Sequence, residues 1–256
     1  ATASESSAVS ANFVHCAAAP CDGRIAEGRV PGAQAPCRTR SGRRDYEANL
    51  EGNLQELHAK VHSGSYRALP VRRRLIPKPD GKQRPLGIAA LEDKIVQRAV
   101  VAVLNAIYEE DFLGFSYGFR PGRRPHDALD ALSVAICNTP VNWILDADIS
   151  GCFDHTGHEP LLARLPVFTT PIRRWLKAGV VELGHYADTE AGTPQGGVLS
   201  PLLANIALDG MERLYGAERP DGRSISPGHR KSPNTGISLI RYADDFVVSA
   251  PSREVL

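Results

Sequence analysis

The segment that most restricts the fold is residues 237–250, ISLIRYADDFVVSA, in which two adjacent acids interrupt an apolar run. Apolar residues on both sides of the acids predict two short β-strands joined by a tight turn. Two carboxylates at a strand turn repel each other and lose free energy when removed from water. A surface turn could hold such a pair without penalty. The apolar flanks favour an embedded hairpin, in which bound cations would remove the conflict.

A second group of acids lies in residues 143–149, WILDADI, which are otherwise apolar and predict a β-strand. Asp146 and Asp148 then point to the same face, because side chains alternate along a strand. Carboxylates beside the acidic hairpin can hold divalent ions through hard oxygen ligands. Two Mg²⁺ ions held in this way suit in-line phosphoryl transfer, one activating the attacking hydroxyl and the other stabilising the leaving pyrophosphate. A structural role for these acids is the open alternative.

Composition limits the class of protein. The chain has 256 residues, of which 42% are hydrophobic and 23% charged, as is typical of one large folded domain or two ordinary ones. No apolar run is long enough for a transmembrane helix, and the first residues lack the basic start and apolar core of a secretory signal. Five cysteines without a C-x-x-C pair favour reduced thiols. We therefore expect a cytoplasmic protein with no membrane partner.

Positive charge is concentrated in one segment. The formal net charge is only +1, yet seven basic residues and a single acid lie between Arg67 and Arg84. Such a segment attracts polyanions whatever the net charge of the chain. The alternative is a solvated basic face with no partner.

The apolar periodicity predicts alternating helices and strands from Tyr46 onward. Residues 1–44 have no such period and predict a poorly ordered N-terminal extension. Turn residues at 79–82 between two extended runs predict a β-hairpin. Helices are predicted over 46–62, 91–108, about 126–137, 158–165 and from Ser200, with a surface loop over 217–236.

Taken together, several blocks resemble the reverse transcriptase domain of group II intron-encoded proteins, the reverse transcriptase/maturase family. The blocks occur in the family's order over about 210 residues from Tyr46, which makes a chance match very unlikely. They are PVRRRLIPKPDGKQRPLGI at 70–88, LEDKIVQRAV at 91–100, SYGFRPGRRPHDAL at 116–129, ILDADISGCFD at 144–154, GTPQGGVLSPLLANIAL at 192–208 and RYADDFVV at 241–248.

The resemblance implies an RNA-directed DNA polymerase that uses two Mg²⁺ ions. Asp148, Asp244 and Asp245 correspond to the family's catalytic aspartates and metal ligands, and the backbone carbonyl of Ile149 is expected to add a ligand. Phe153 stands where the family places an aromatic gate, which would clash with a ribose 2′-hydroxyl and so favour deoxynucleotides. Ordinary core packing is the alternative for Phe153.

The resemblance also implies residues that bind the nucleotide and the nucleic acid. Lys78 and Arg84 match the residues that grip the incoming triphosphate, and Gln195 with Gly196 matches the loop that supports the nascent base pair. The residues expected to contact nucleic acid are Arg72, Arg73, Arg74 and Arg120. For Arg120 a structural role is left open, and for the three consecutive arginines a solvated position.

The implied fold is α+β, with the fingers and palm of a right-hand polymerase and a helix-backed antiparallel palm sheet. Residues 45–256 are expected to form the fingers and a partial palm, incomplete at the C-terminus, with the thumb, maturase and endonuclease regions absent. The implied partners are an intron RNA template, a DNA primer and deoxynucleoside triphosphates, and a homodimer is left open. The function implied is reverse transcription with intron splicing and mobility. A splicing cofactor that binds RNA without polymerising, and an inactive truncated remnant, are the alternatives.

Overall fold

The computed structural model describes residues 40–79, 81–211 and 237–255, which fall into two compact units that interleave along the sequence. The first unit contains residues up to 101 together with 157–200, and the second contains 102–156 together with the residues from 201 onward. Residues 1–39 of the predicted extension and the predicted loop over 217–236 lie outside the described residues. Within the described ranges, no helix combines the length and apolar character needed to cross a bilayer.

The predicted helices and strands are present in the predicted order, and the structure adds two helices and two strands that the sequence pattern did not indicate, at Cys152–His155, Thr169–Leu176, Val180–Glu182 and His185–Ala187. The helices are α1 (Arg40–Ala48), α2 (Leu50–His62), α3 (Leu91–Asp111), α4 (Pro125–Asn138), α5 (Cys152–His155), α6 (His158–Ala163), α7 (Thr169–Leu176) and α8 (Ser200–Leu208). The strands are β1 (Val71–Pro77), β2 (Gln83–Ile88), β3 (Trp143–Asp148), β4 (Val180–Glu182), β5 (His185–Ala187), β6 (Ser238–Tyr242) and β7 (Asp245–Ala250). This mixture of helices and sheets confirms the predicted α+β class.

One predicted helix is divided in the structure. The apolar spacing predicts a single helix over 46–62, but α1 ends at Ala48 and α2 begins at Leu50. Between them, Asn49 has φ −132° and ψ 53°, outside the helical region. Asparagine competes with the helix through its own side chain, so a break at this residue is compatible with the continuous apolar stripe.

The first unit contains a four-stranded sheet in the order β2-β1-β4-β5. The β1–β2 pair is antiparallel and is the hairpin that the turn residues predict. By contrast, β1 pairs with β4 in parallel through Val71 and Arg72, although about a hundred residues separate the two strands. The three consecutive arginines of the basic segment therefore lie on an internal strand of this sheet.

In the first unit, buried hydrogen bonds among Tyr66, Asp93 and Trp175 connect two helices. The Tyr66 hydroxyl donates to a carboxylate oxygen of Asp93 and accepts from the Trp175 indole Nε1 at 2.8 Å. The other carboxylate oxygen of Asp93 accepts the Leu69 N–H at 3.1 Å. Burial raises the pKa of Asp93 despite these hydrogen bonds. The group ties α3 and α7 to the segment that precedes β1.

The second unit contains an antiparallel three-stranded sheet in the order β3-β7-β6. Helix α4 covers part of this sheet, where Ala128 and Ala131 pack with Tyr117 and Ile240. Helix and sheet thus share one apolar core, and that core supports the strands that carry the acids.

Candidate active site

The acidic hairpin has the predicted form. Strands β6 and β7 pair up to Tyr242 and Asp245, which leaves Ala243 and Asp244 as a two-residue turn. Ala243 has φ +59°, in the left-handed region that residues other than glycine seldom adopt. The body of the hairpin is embedded, since Val248 is fully buried, whereas Asp245 at the turn is exposed.

Strand β3 brings the third acid to this turn. Asp148, the last residue of β3, is the register partner of Asp245 in β7. The Ile149 N–H then donates to the backbone carbonyl of Asp244 at 3.3 Å, so the chain leaving β3 is tied to the hairpin turn. Asp146 lies on the same exposed side of β3 as Asp148, as the period of two predicts. The structure therefore assembles Asp148, Asp244 and Asp245 at one end of the sheet.

The electrostatics of this end are those of closely spaced negative charges. Partial burial, followed by the charges of Asp148, Asp244 and Asp146, raises the pKa of Asp245. Within the described part of the chain, no lysine or arginine forms a salt bridge with any of these four carboxylates. A bound cation is the compensation that such a group of acids lacks.

The donor atoms fit a hard divalent cation that substrate helps to bind. Among the described residues, no three His, Cys, Asp or Glu side chains lie close enough to hold an ion by themselves. Mg²⁺ is commonly held by one or two carboxylates together with substrate phosphates and water, and therefore does not need a complete protein cage. The Ile149 carbonyl accepts the Cys152 N–H at 3.1 Å, and a carbonyl oxygen has a second lone pair for another partner.

Phe153 lies on α5, which follows directly after β3 and its connecting turn. Its ring packs edge to face against Phe119, with 6.3 Å between centroids and an interplanar angle of 73°. Phe119 is 49% exposed and has φ +60°, which is unfavourable for an aromatic residue. The ring at the predicted gate position is thus held by a second aromatic residue that the sequence pattern did not single out.

Two further predicted site residues, Arg84 and Gln195, meet in the first unit. The Arg84 Nε donates to Gln195 Oε1 at 3.3 Å, and the Gly87 N–H donates to the Gln195 carbonyl at 2.6 Å. Gly196 has φ +88°, and a Cβ there would lie 2.3 Å from a methyl carbon of Leu86. Only glycine allows this loop to lie so closely on β2.

Comparison with known proteins identifies the family. A family model described as reverse transcriptase (RNA-dependent DNA polymerase) matches residues 76–256, which is well over half of the chain. This chain belongs to the reverse transcriptase family. Protein YkfC of Escherichia coli is 37% identical over 227 residues, which cover 79% of this chain and 60% of YkfC.

Other proteins similar to this reverse transcriptase are named for introns, in agreement with the resemblance that its motifs indicate. The group II intron-encoded protein LtrA of Lactococcus lactis is 36% identical over 198 residues, covering 72% of this chain and 32% of LtrA. An uncharacterized 91 kDa protein in the cob intron of Schizosaccharomyces pombe is 38% identical over 167 residues, covering 63% of this chain and 20% of that protein. The chain therefore spans less than two thirds of the length of each of these relatives.

The other basic residues predicted to contact phosphate, Lys78 and the three arginines of β1, differ in exposure and in partners. Lys78 is exposed just after β1, and its N–H donates to the Lys82 carbonyl at 2.7 Å, which closes the hairpin. Arg73 lies 3.6 Å from the Glu182 carboxylate on β4. Arg72 and Arg74 are half-buried on β1. Their expected contacts with phosphate stay predictions.

Arg120 has the structural role that the sequence left open, which corrects its placement among the nucleic-acid contacts. Its guanidinium is 3% exposed and pairs with Glu109 at 2.8 Å. The other N–H groups donate to the backbone carbonyls of Leu113, Ser116 and Phe112 at 2.7, 2.9 and 3.4 Å. Since all five guanidinium N–H groups are directed at these acceptors, none remains for a phosphate.

Sequence reasoning missed several buried polar residues behind these sites. His158 is buried, and its Nε2 donates to the Gly192 carbonyl at 2.8 Å, anchoring the segment that leads to Gln195. Arg241 and Asn205 are buried in the second unit and hydrogen-bonded to each other at 3.1 Å. Arg241 and Asn205 could have been found from the sequence, because each is a polar residue within a largely apolar run. When such a run is buried, its polar side chains are expected to be hydrogen-bonded to other buried groups.

Proposed function

We propose that this chain is the polymerase region of a group II intron-encoded reverse transcriptase. It would extend a DNA primer on an intron RNA template with deoxynucleoside triphosphates. The observation that carries the proposal is the register pair of Asp148 and Asp245, with Asp244 in the adjoining turn. In this reading the β3-β7-β6 sheet is the palm and the β1–β2 hairpin belongs to the fingers.

Two Mg²⁺ ions are the proposed cofactors. Asp148 and Asp244 would hold them, with Asp245 and the Ile149 carbonyl as further oxygen donors. When bound, the ions would activate the primer 3′-hydroxyl and stabilise the leaving pyrophosphate. The uncompensated charge of the acids supports this assignment, because repulsion among the carboxylates is relieved only when positive charge is added.

The remaining predicted residues would bind and select the substrates. Arg84 offers a planar fork and Lys78 a point charge to the triphosphate, both from exposed positions on the hairpin. The loop of Gln195 would support the nascent base pair. Phe153 would exclude a 2′-hydroxyl. The arginines Arg72, Arg73 and Arg74 are proposed as template-backbone contacts, which would make binding fall steeply with salt.

Primer extension on an RNA template in Mg²⁺ tests the proposal. Asp148→Asn and Asp244→Asn should each lower the extension rate by about a thousandfold, because each removes transition-state charge stabilisation of several kcal/mol. Asp146→Asn is the matched control, since it removes a carboxylate from the same face of the same strand and should retain most of the activity. Extension that survives both Asp148→Asn and Asp244→Asn would contradict the assignment.

The same experiment separates the polymerase from a splicing cofactor. Binding to RNA requires the basic segment and has no need of the three aspartates. RNA binding without extension in the wild-type chain, unchanged by Asp148→Asn, would therefore favour the non-polymerising alternative.

A further inference from the structure

Arg241 is buried immediately behind the turn that carries the acids. The residue is 2% exposed, although it occupies the strand just before the hairpin turn. Its Nη1 donates to the Ala243 carbonyl at 2.9 Å and to Asn205 Oδ1 at 3.1 Å. Its Nη2 donates to the Ser116 hydroxyl at 2.8 Å. The guanidinium thus joins the turn to α8 and to the loop before α4.

The same loop also contacts the turn through its backbone. The Arg241 N–H donates to the Phe115 carbonyl, and the Tyr117 N–H donates to the Arg241 carbonyl, both at 2.9 Å. Gly118 lies so close that a Cβ there would be 2.3 Å from the Ala243 nitrogen. Asn205 completes the contact, because its Nδ2 donates to the Gly118 carbonyl at 2.9 Å. The turn is therefore enclosed from its interior side by residues of two segments, the loop at 115–118 and α8.

The contact between Arg241 and the turn stabilises two features that are unfavourable on their own, the left-handed backbone of Ala243 and the buried guanidinium. A left-handed backbone is unfavourable at alanine, so Ala243 would relax unless neighbouring groups held it. A buried guanidinium is likewise unfavourable unless its N–H groups find acceptors. The Ala243 carbonyl supplies one of these acceptors. This one hydrogen bond therefore holds Ala243 in its left-handed conformation and satisfies one of the buried N–H groups of Arg241.

We propose that Arg241 is a positioning residue that fixes the turn carrying Asp244 through the Ala243 carbonyl, with Asn205, Ser116 and Gly118 as its supports. The geometric part stands on contacts within the second unit. Its consequence for catalysis rests on the proposed function, in which Asp244 holds a metal ion.

Hydrogen–deuterium exchange of the folded chain tests the geometric part. Arg241→Lys keeps the charge but cannot reach all three acceptors, so exchange in residues 241–247 should become about tenfold faster. Ser116→Ala, which removes a single hydrogen bond, should give a smaller increase and keeps the test decisive if Arg241→Lys does not fold. Arg123→Lys is the matched control, because Arg123 donates to the Gly114 carbonyl at 2.9 Å in the same loop but has no hydrogen bond to the turn.

The location of the change decides between positioning and general stability. Faster exchange confined to the turn supports the proposal. Unchanged exchange at the turn, or an equal increase over α4, would overturn it, since a purely stabilising residue affects its whole unit.

The catalytic consequence is read from the Mg²⁺ dependence of primer extension. Arg241→Lys should raise the half-saturating Mg²⁺ concentration about tenfold with the nucleotide KM unchanged. An unchanged Mg²⁺ dependence would refute this consequence. Absence of extension in the wild-type chain would instead count against the proposed function, while the exchange result would still decide the role of Arg241.

Discussion

The Arg84 Nε lies 3.3 Å from Gln195 Oε1, although 111 residues separate the two in sequence. Each was predicted to face the incoming nucleotide for its own reason, Arg84 as a phosphate ligand and Gln195 as a support for the base pair. Their hydrogen bond joins the β1–β2 hairpin to the loop of Gln195 and Gly196 within the first unit. A substitution at either residue should therefore disturb the other.

Coupling between these two residues is measurable in nucleotide kinetics. Arg84→Ala should raise the deoxynucleotide KM about tenfold through the lost charge-assisted contact, and Gln195→Ala should raise it less. The double variant should fall short of the product of the two effects, because both single changes remove the same hydrogen bond. Arg98→Ala removes an exposed arginine from α3 and serves as the control. Full additivity in steady-state extension would show that the contact has no role in binding.

The pair of Phe119 and Phe153 should control sugar selection. Phe119→Ala removes the edge-to-face contact with Phe153, the proposed gate, so discrimination against ribonucleotides should fall about three- to tenfold. Phe153→Val should lower it further. Incorporation of each nucleotide type from competing pools measures the ratio. Phe168→Ala is the control, because Phe168 has the same φ of +60° and belongs to the first unit. Equal discrimination in Phe119→Ala and wild type would refute the supporting role.

Gly118 should tolerate no side chain. Gly118→Ala places a methyl group 2.3 Å from the Ala243 nitrogen, a clash with backbone that flexible side chains cannot relieve. We expect the free energy of unfolding to fall by about 1–3 kcal/mol, measured by urea denaturation. Gly157→Ala is the control, since Gly157 has φ −65° and the nearest contact of a Cβ there is at 3.3 Å. Equal stability of the two variants would show that the turn can move away from Gly118.

The buried Asp93 should make the stability of the first unit depend on pH. Burial raises the pKa of Asp93 in the folded chain above its unfolded value, so its contribution is greatest at low pH. That contribution is lost as the pH rises through the folded pKa, because the folded state must then hold a buried charge. Asp93→Asn cannot ionise, so its free energy of unfolding should rise relative to wild type over the same pH range and then stay level.

Fluorescence can follow this effect at one site. The Trp175 indole donates to the Tyr66 hydroxyl within the Asp93 group, and Trp143→Phe removes the other tryptophan of the chain. Urea unfolding of the Trp143→Phe protein, with and without Asp93→Asn, gives the difference at each pH. A difference that does not change with pH would contradict the assignment.

The sequence predicted what depends on neighbours along the chain. The acidic hairpin, the strand of Asp148 and the β1–β2 hairpin follow from short-range periodicity and turn residues, and the family resemblance supplied their order. The contacts of Arg241 with Ser116 and Asn205 span 125 and 36 residues and left no local pattern. Arg120 shows the converse, because a basic residue in a glycine- and arginine-rich loop cannot be assigned to surface or interior before its acceptors are known. At Asn49 a local backbone preference divided a helix that the apolar period made continuous.

The interleaving of the two units governs the order in which the chain can fold as it is synthesised. The β1–β2 hairpin forms from adjacent residues, but its parallel neighbour β4 emerges from the ribosome about a hundred residues later. Strand β7, the partner of β3, is also synthesised about a hundred residues after it. Until β7 has emerged, Trp143 and Ile144 of β3 have no partner strand beside them. Neither unit can be completed before translation of the other has begun, so the nascent chain must keep unfinished apolar edges from associating while it waits.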